Sequence, residues 1–182
     1  MEDHKSWAVK DEAILDDLTT LMSISDNEKN VLATLKVKAQ AEASKMIEEF
    51  YERLLAHETT AEYLEGMVEH LHKTLQDWFV QLFSGKYDEA YAKSRQAIGQ
   101  VHVRIGLPVR YPLAMMDVML QHGEQVAAQS DQADAAKAAF RKLLALDIAI
   151  FNQAYEDDQL RHLAETVGNE RLARRLLTQE AH

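Results

Sequence analysis

The sequence predicts an all-α protein of one main domain, and three observations carry that prediction. Glycine and proline punctuate it rarely, with six and two among 182 residues. Nearly every long stretch repeats its apolar residues with helical spacing, the mark of helices that bury one face. No run alternates apolar and polar residues as a half-buried strand does, and no Asn-Gly or Asp-Gly hairpin signal interrupts the pattern. A chain of this size buries roughly 70% of its unfolded surface. Its 47% hydrophobic and 27% charged residues are ordinary globular composition.

A first helix is predicted from about Ser6 to Met22, with Trp7, Ile14, Leu18 and Leu21 as its apolar marks. Ser25 stands three residues before Glu28, a capping-box spacing that starts the next helix. Helical pattern then runs to about Ala56, with a bend expected near Lys38. Its second half places Ile47, Phe50, Tyr51, Leu54 and Leu55 on one apolar face. Residues His57 to Gly66 read as a polar turn holding about one helical turn near Glu62. Leu71, Leu75, Trp78 and Leu82 mark the buried face of a helix from Met67 to about Phe83, which Ser84-Gly85 ends. The next helix spans about Asp88 to Ile105, with Ile98, Val101 and Ile105 inward, and Gly106 and Pro108 close it. Another runs from near Pro112 to Gln129, and the last begins after Ser130-Asp131 and extends past Tyr155.

These last two helices are apolar over a wide arc, through Met115, Met119 and Val126 on one and Leu143, Ile150 and Phe151 on the other. One side faces the core; the other needs a ligand or a partner. A homodimer built on the two helices is the expectation, since soluble monomers rarely leave such a stripe wet; the alternative is a monomer whose long N-terminal segment folds back over the stripe.

Charge and composition remove several classes of function. A net charge of −10 argues against nucleic acid, which requires a basic stripe, and against an anionic membrane surface. The absence of cysteine removes disulfides, thiolate ligands and covalent haem attachment. No apolar run approaches the roughly twenty residues of a membrane span, and the amino-terminal residues show no signal-peptide pattern. Cytoplasmic location is the expectation. No phosphate-binding glycine loop, Gly-x-Ser-x-Gly or His-Glu-x-x-His is present, so the chain is not expected to be an enzyme.

Among eight histidines, Glu69-x-x-His72 has the spacing of di-iron bundles but lacks its second copy. It reads as a solvated helix face. His102 differs, because it lies between Ile98 and Ile105, on the inward side of its helix just before the end. A packed core histidine and an axial ligand to haem iron are both consistent with that setting.

The segment His102-Val103-Arg104-Ile105-Gly106-Leu107-Pro108 resembles the proximal segment of the globin-coupled sensor family, written His-x-Arg-Ile-Gly-Leu with a proline close behind. Phe50-Tyr51-Glu52-Arg53-Leu54 is similar to that family's distal B helix. Leu71-His72-Lys73-Thr74-Leu75, continuing to Phe83-Ser84-Gly85, is similar to its distal E helix. The resemblance covers roughly Ser25 to Tyr155. It departs from the family where Tyr111-Pro112 stands in place of a Trp-Tyr pair.

The resemblance implies a globin-like fold with an extra N-terminal helix and a shortened region after the B helix. It implies a helical extension over 1–24, a haem-binding sensor domain over 25–160, and over 161–182 a further helix or the start of a linker to a transmitter. His102 would be the proximal ligand of haem b, with Tyr51 and Thr74 as distal polar groups. Phe50, Leu71, Leu75, Trp78, Ile98, Ile105, Tyr111 and Met115 would line the pocket. The implied function is reversible binding of O2, with CO and NO as further ligands, and signalling through a dimer interface. The alternative is a single-domain globin that carries gas or oxidises nitric oxide.

Overall fold

The computed structural model describes residues 4–9, 12–64 and 68–178, with the backbone alone at 8, 12 and 68–70. Among the described residues there are nine α-helices, two short 3-10 turns and no strand. The helices are α1 (Glu12–Leu21), α2 (Asp26–Ala33), α3 (Lys36–Ala56), α4 (Glu58–Ala61), α5 (Val68–Gln81), α6 (Glu89–Arg104), α7 (Arg110–Ala127), α8 (Ala133–Val167) and α9 (Glu170–Leu177).

The expected first helix is two pieces. A 3-10 turn at Lys5–Ala8 leads into extended backbone at Val9 before α1 begins. Ile14 is buried as expected, but Leu21 is 78% exposed because it is the last residue of α1 and no helix covers it. The capping box is present at the start of α2, where Ser25 N–H donates to Glu28 Oε2 at 2.7 Å and Glu28 N–H returns to Ser25 Oγ. The bend expected near Lys38 falls one turn earlier. Thr34 Oγ1 donates back to the Val31 carbonyl at 2.7 Å, and the backbone tightens into a turn before α3 restarts. Ile47 and Tyr51 are buried on α3, whereas Leu55 is 49% exposed. Eight residues beyond Ile47, Leu55 has rotated about 80° off that face. Among the described residues, only the single turn α4 and a 3-10 turn at Glu62–Leu64 lie between α3 and α5, so the region after α3 is short.

The core lies where α8 meets α2, α6 and α7, and where α3 meets α5 and α7. Phe83 stacks on Phe140 with ring centroids 5.2 Å apart. Helix α6 rests directly on α8 at Gly99, where an added Cβ would lie 2.7 Å from both the Ala154 Cβ and the Phe151 carbonyl oxygen. The end of α6 is a Schellman motif. Gly106, at φ +70°, donates to the Val103 carbonyl and Leu107 N–H to the His102 carbonyl at 3.0 Å.

The wide apolar arc of α7 and α8 does not stay wet. Met115, Met119, Val126, Leu143, Ile150 and Phe151 are all buried within one chain. Helices α2 and α6 cover α8 and α3 covers α7, while Met115 and Phe151 also face an internal cavity. Helices α2, α3 and α6 and the cavity thus account for the stripe, which by itself calls for no second subunit.

Candidate functional site

Five helices wall one largely apolar cavity. Its non-atom space is about 1170 Å³ when the open mouth is included, on the scale of sites for large organic ligands. Helix α3 contributes Phe50, Tyr51 and Leu54; α5 contributes Leu71, Thr74, Leu75 and Trp78. Helix α6 supplies Ile98, Val101 and His102, with Ile105 just beyond its end. Tyr111, Met115 and Met116 of α7 and Asp147, Ile148 and Phe151 of α8 complete the wall. All eleven positions named from the sequence therefore line the same cavity. Val101 and Ile105 are each 46% exposed, so their apolar surface borders open space where packed protein was expected.

His102 is set in place from both ends. Its backbone carbonyl is held in the Schellman motif, and its ring Nδ1 lies 2.7 Å from the Ile98 carbonyl. A carbonyl only accepts, so Nδ1 carries the proton and Nε2 keeps its lone pair. Among the described residues Nε2 has no hydrogen-bond partner. Burial pushes the imidazole below its ordinary value of 6.5, which keeps it neutral. Phe151 packs edge-on to the ring, 5.3 Å between centroids.

Across the cavity, Tyr51 is 7% exposed and its hydroxyl holds no hydrogen bond among the described residues. Burial pushes its pKa up to about 12, so it remains a donor. Phe50 packs edge-on to it and the His72 ring lies 4.8 Å away. His72 is exposed but braces Tyr51, a contact that its reading as solvated surface missed. The side chain of Glu69 lies outside the described residues. Thr74 lines the cavity yet is exposed, a rim position beside the interior one of Tyr51.

Two further features escaped sequence reading. Asp147, wholly buried, accepts from Trp78 Nε1 at 2.5 Å, from Arg95 Nε at 2.9 Å and from the Tyr91 hydroxyl. Arg95 also donates to Gln81 Oε1 at 2.7 Å and lies over the Tyr91 ring. This hub ties α5, α6 and α8 together behind Trp78. Burial raises the Asp147 carboxyl, with Arg95 opposing the rise. A charge set inside Leu143-Leu144-Ala145-Leu146-Asp147-Ile148 was the signal available. The second feature is His122, buried between Glu42 and Glu49 of α3 at 2.8 and 2.9 Å. It clasps α7 to α3.

The comparisons with known proteins agree with this architecture. Residues 11–161 match the protoglobin family. The chain belongs to the protoglobin family. The haem-based aerotactic transducer HemAT of Halobacterium salinarum is 28% identical over 173 residues, covering 86% of this chain and 35% of that protein. This protoglobin-family chain thus spans about a third of that relative's length. Among solved structures, the globin domain of the Geobacter sulfurreducens globin-coupled sensor is 29% identical with a TM-score of 0.72. That likeness covers 77% of this chain and 96% of the other. The ferric globin domain of E. coli DosC, 20% identical, shows the same fold with a TM-score of 0.65 over 78% of this chain and 99% of its own. The fold is globin-like.

The cavity residues fit a haem. No group of three or more His, Asp or Glu among the described residues forms a metal cage, so an iron here would arrive within its own macrocycle. The macrocycle would then need one protein ligand and apolar walls. His102 offers a neutral imidazole whose second nitrogen is anchored to a backbone carbonyl, the usual partner of a ligating histidine.

Proposed function

We propose that this chain is a gas-sensing domain that holds haem b on His102 and binds O2 reversibly, with CO and NO as alternative ligands. The observation that carries the proposal is the His102 imidazole, fixed by Ile98 in the tautomer that leaves Nε2 free on the wall of an apolar cavity. A bound haem, held by His102, would supply an iron with affinity for a diatomic gas. The rest falls to the chain's own residues. Tyr51 donates a hydrogen bond to a ligand that gathers negative charge. Leu71 and Leu75 exclude water from the same space, and Thr74 adds a polar group at the rim.

Output would run through α8, which the relative HemAT, an aerotactic transducer, makes a reasonable route to a linked module. Helix α8 touches His102 through Phe151, receives α6 at Gly99, and continues from Phe151 to Val167. The division into 1–24, 25–160 and 161–182 belongs to the same reading. The capping box at Ser25 supports its first boundary and the end of the family match at 161 its second, while the match itself begins at residue 11, within the first piece.

Absorbance spectra of the purified, haem-loaded protein test the proposal, oxidised, reduced, and under O2, CO and NO. Distinct reversible spectra for each gas are expected. A protein that takes up no haem would overturn it.

A further inference from the structure

Haem carries two carboxylates, and the cavity wall has no lysine or arginine among its lining residues. Buried unpaired carboxylates are prohibitively costly, so these groups must leave the apolar space where a cation can receive them. Most cations beside the wall are already committed. Arg53 pairs with Glu49 and Asp117, Lys73 with Asp77, and Arg95 with Asp147.

Arg110 is different. Its guanidinium lies over the ring of the wall residue Tyr111, 4.6 Å from the centroid, and donates to the Tyr111 hydroxyl at 3.2 Å. Among the described residues it makes no ion pair, although the Glu62 carboxylate is near enough to act on Tyr111. Arg104 at the end of α6 makes none either, and what sets Arg110 apart is its seat on a wall residue. The same hydroxyl lies 2.8 Å from Thr59 Oγ1, which is 3.0 Å from His57 Nδ1. Residues from the α3–α4 corner and from the start of α7 thus meet in one polar cluster against the cavity through Tyr111.

We infer that Arg110, held on Tyr111 with Thr59 and His57 beside it, is the seat that anchors a carboxylate of the bound macrocycle. The inference rests on the haem reading above. Arg110 is exposed and free to pair, and the ring beneath it limits the conformations it must give up.

The test compares protein loaded with haem against protein loaded with haem dimethyl ester, which has no ionised carboxylate. The rate of transfer to excess apomyoglobin is followed by absorbance for the native chain, Arg110→Ala and Arg110→Lys. Arg110→Ala should lose haem about two- to fivefold faster, the range of an exposed ion pair. Arg110→Lys should recover part of the loss, and added salt should speed release from the native chain but not from Arg110→Ala. With the dimethyl ester the variants should match. Equal rates with haem, or an equal acceleration with the ester, would overturn the seat at Arg110. A native chain that binds neither macrocycle would overturn the haem reading itself, a separate outcome.

Discussion

At the scale of single residues, the proposed function divides the chemistry between His102 and Tyr51, and each makes a distinct prediction. A hydrogen bond to a charged ligand is worth roughly 1.5–3 kcal/mol, about one to two factors of ten in dissociation rate. Tyr51→Phe should therefore release O2 faster by that amount and leave CO, which gathers less charge, nearly unchanged. Stopped-flow ligand displacement measures both. Thr74→Val should have the smaller effect on O2, because Thr74 is exposed and Tyr51 is not. His102 makes a prediction about pH. Its folded pKa is depressed below 6.5 by burial, so the neutral imidazole is fully present above that value and is lost as pH falls through the depressed one. Haem retention, followed by the Soret band, should hold through pH 6.5 and fail only below it. Loss centred above 6.5 would show that another group controls release.

At the scale of elements, the contact between α6 and α8 is the most consequential, because it sets the height of His102 above the cavity. Gly99→Ala would drive a methyl group into the Phe151 carbonyl oxygen and Ala154. Backbone cannot step aside as a side-chain tip does, so a loss of about 1–3 kcal/mol is expected, with a shifted haem spectrum. Chemical denaturation and absorbance read the two effects. The Asp147 hub makes a parallel prediction. Asp147→Leu leaves the Arg95 charge buried and unpaired, which should cost about 3–5 kcal/mol, and pairing it with Arg95→Met should restore much of that. These elements also show what a sequence conceals. The capping box, the Gly106 stop and the cavity face of α6 follow from residues within a few positions of one another, so they were legible. Asp147 and Arg95 are 52 positions apart and His122 lies 80 from Glu42. A charged residue on a helix reads as solvated until a distant partner is known. Leu21 and Leu55 failed in the opposite sense, since periodicity extends an apolar face past the point where a neighbour covers it.

At the scale of the whole molecule, the wide apolar arc of the last two helices demands cover, and much of that cover comes from within the chain. It is filled by α2, α3 and α6 and by the cavity, none of which periodicity can place in space. Sedimentation now decides the homodimer independently: a species of twice 20.7 kDa would need an interface other than the buried residues of α7 and α8. The cavity, with its walls drawn from five helices between Phe50 and Phe151, is the feature around which the fold is arranged. Under the proposed function its purpose depends on one atom, His102 Nε2, which has no partner among the described residues. The most direct measurement is therefore the absorbance spectrum of haem-loaded His102→Ala beside the native protein, without and with added imidazole. The account predicts that His102→Ala loses stable haem and its native Soret band, and that imidazole restores part of both. A variant that keeps the native spectrum and haem affinity would contradict it.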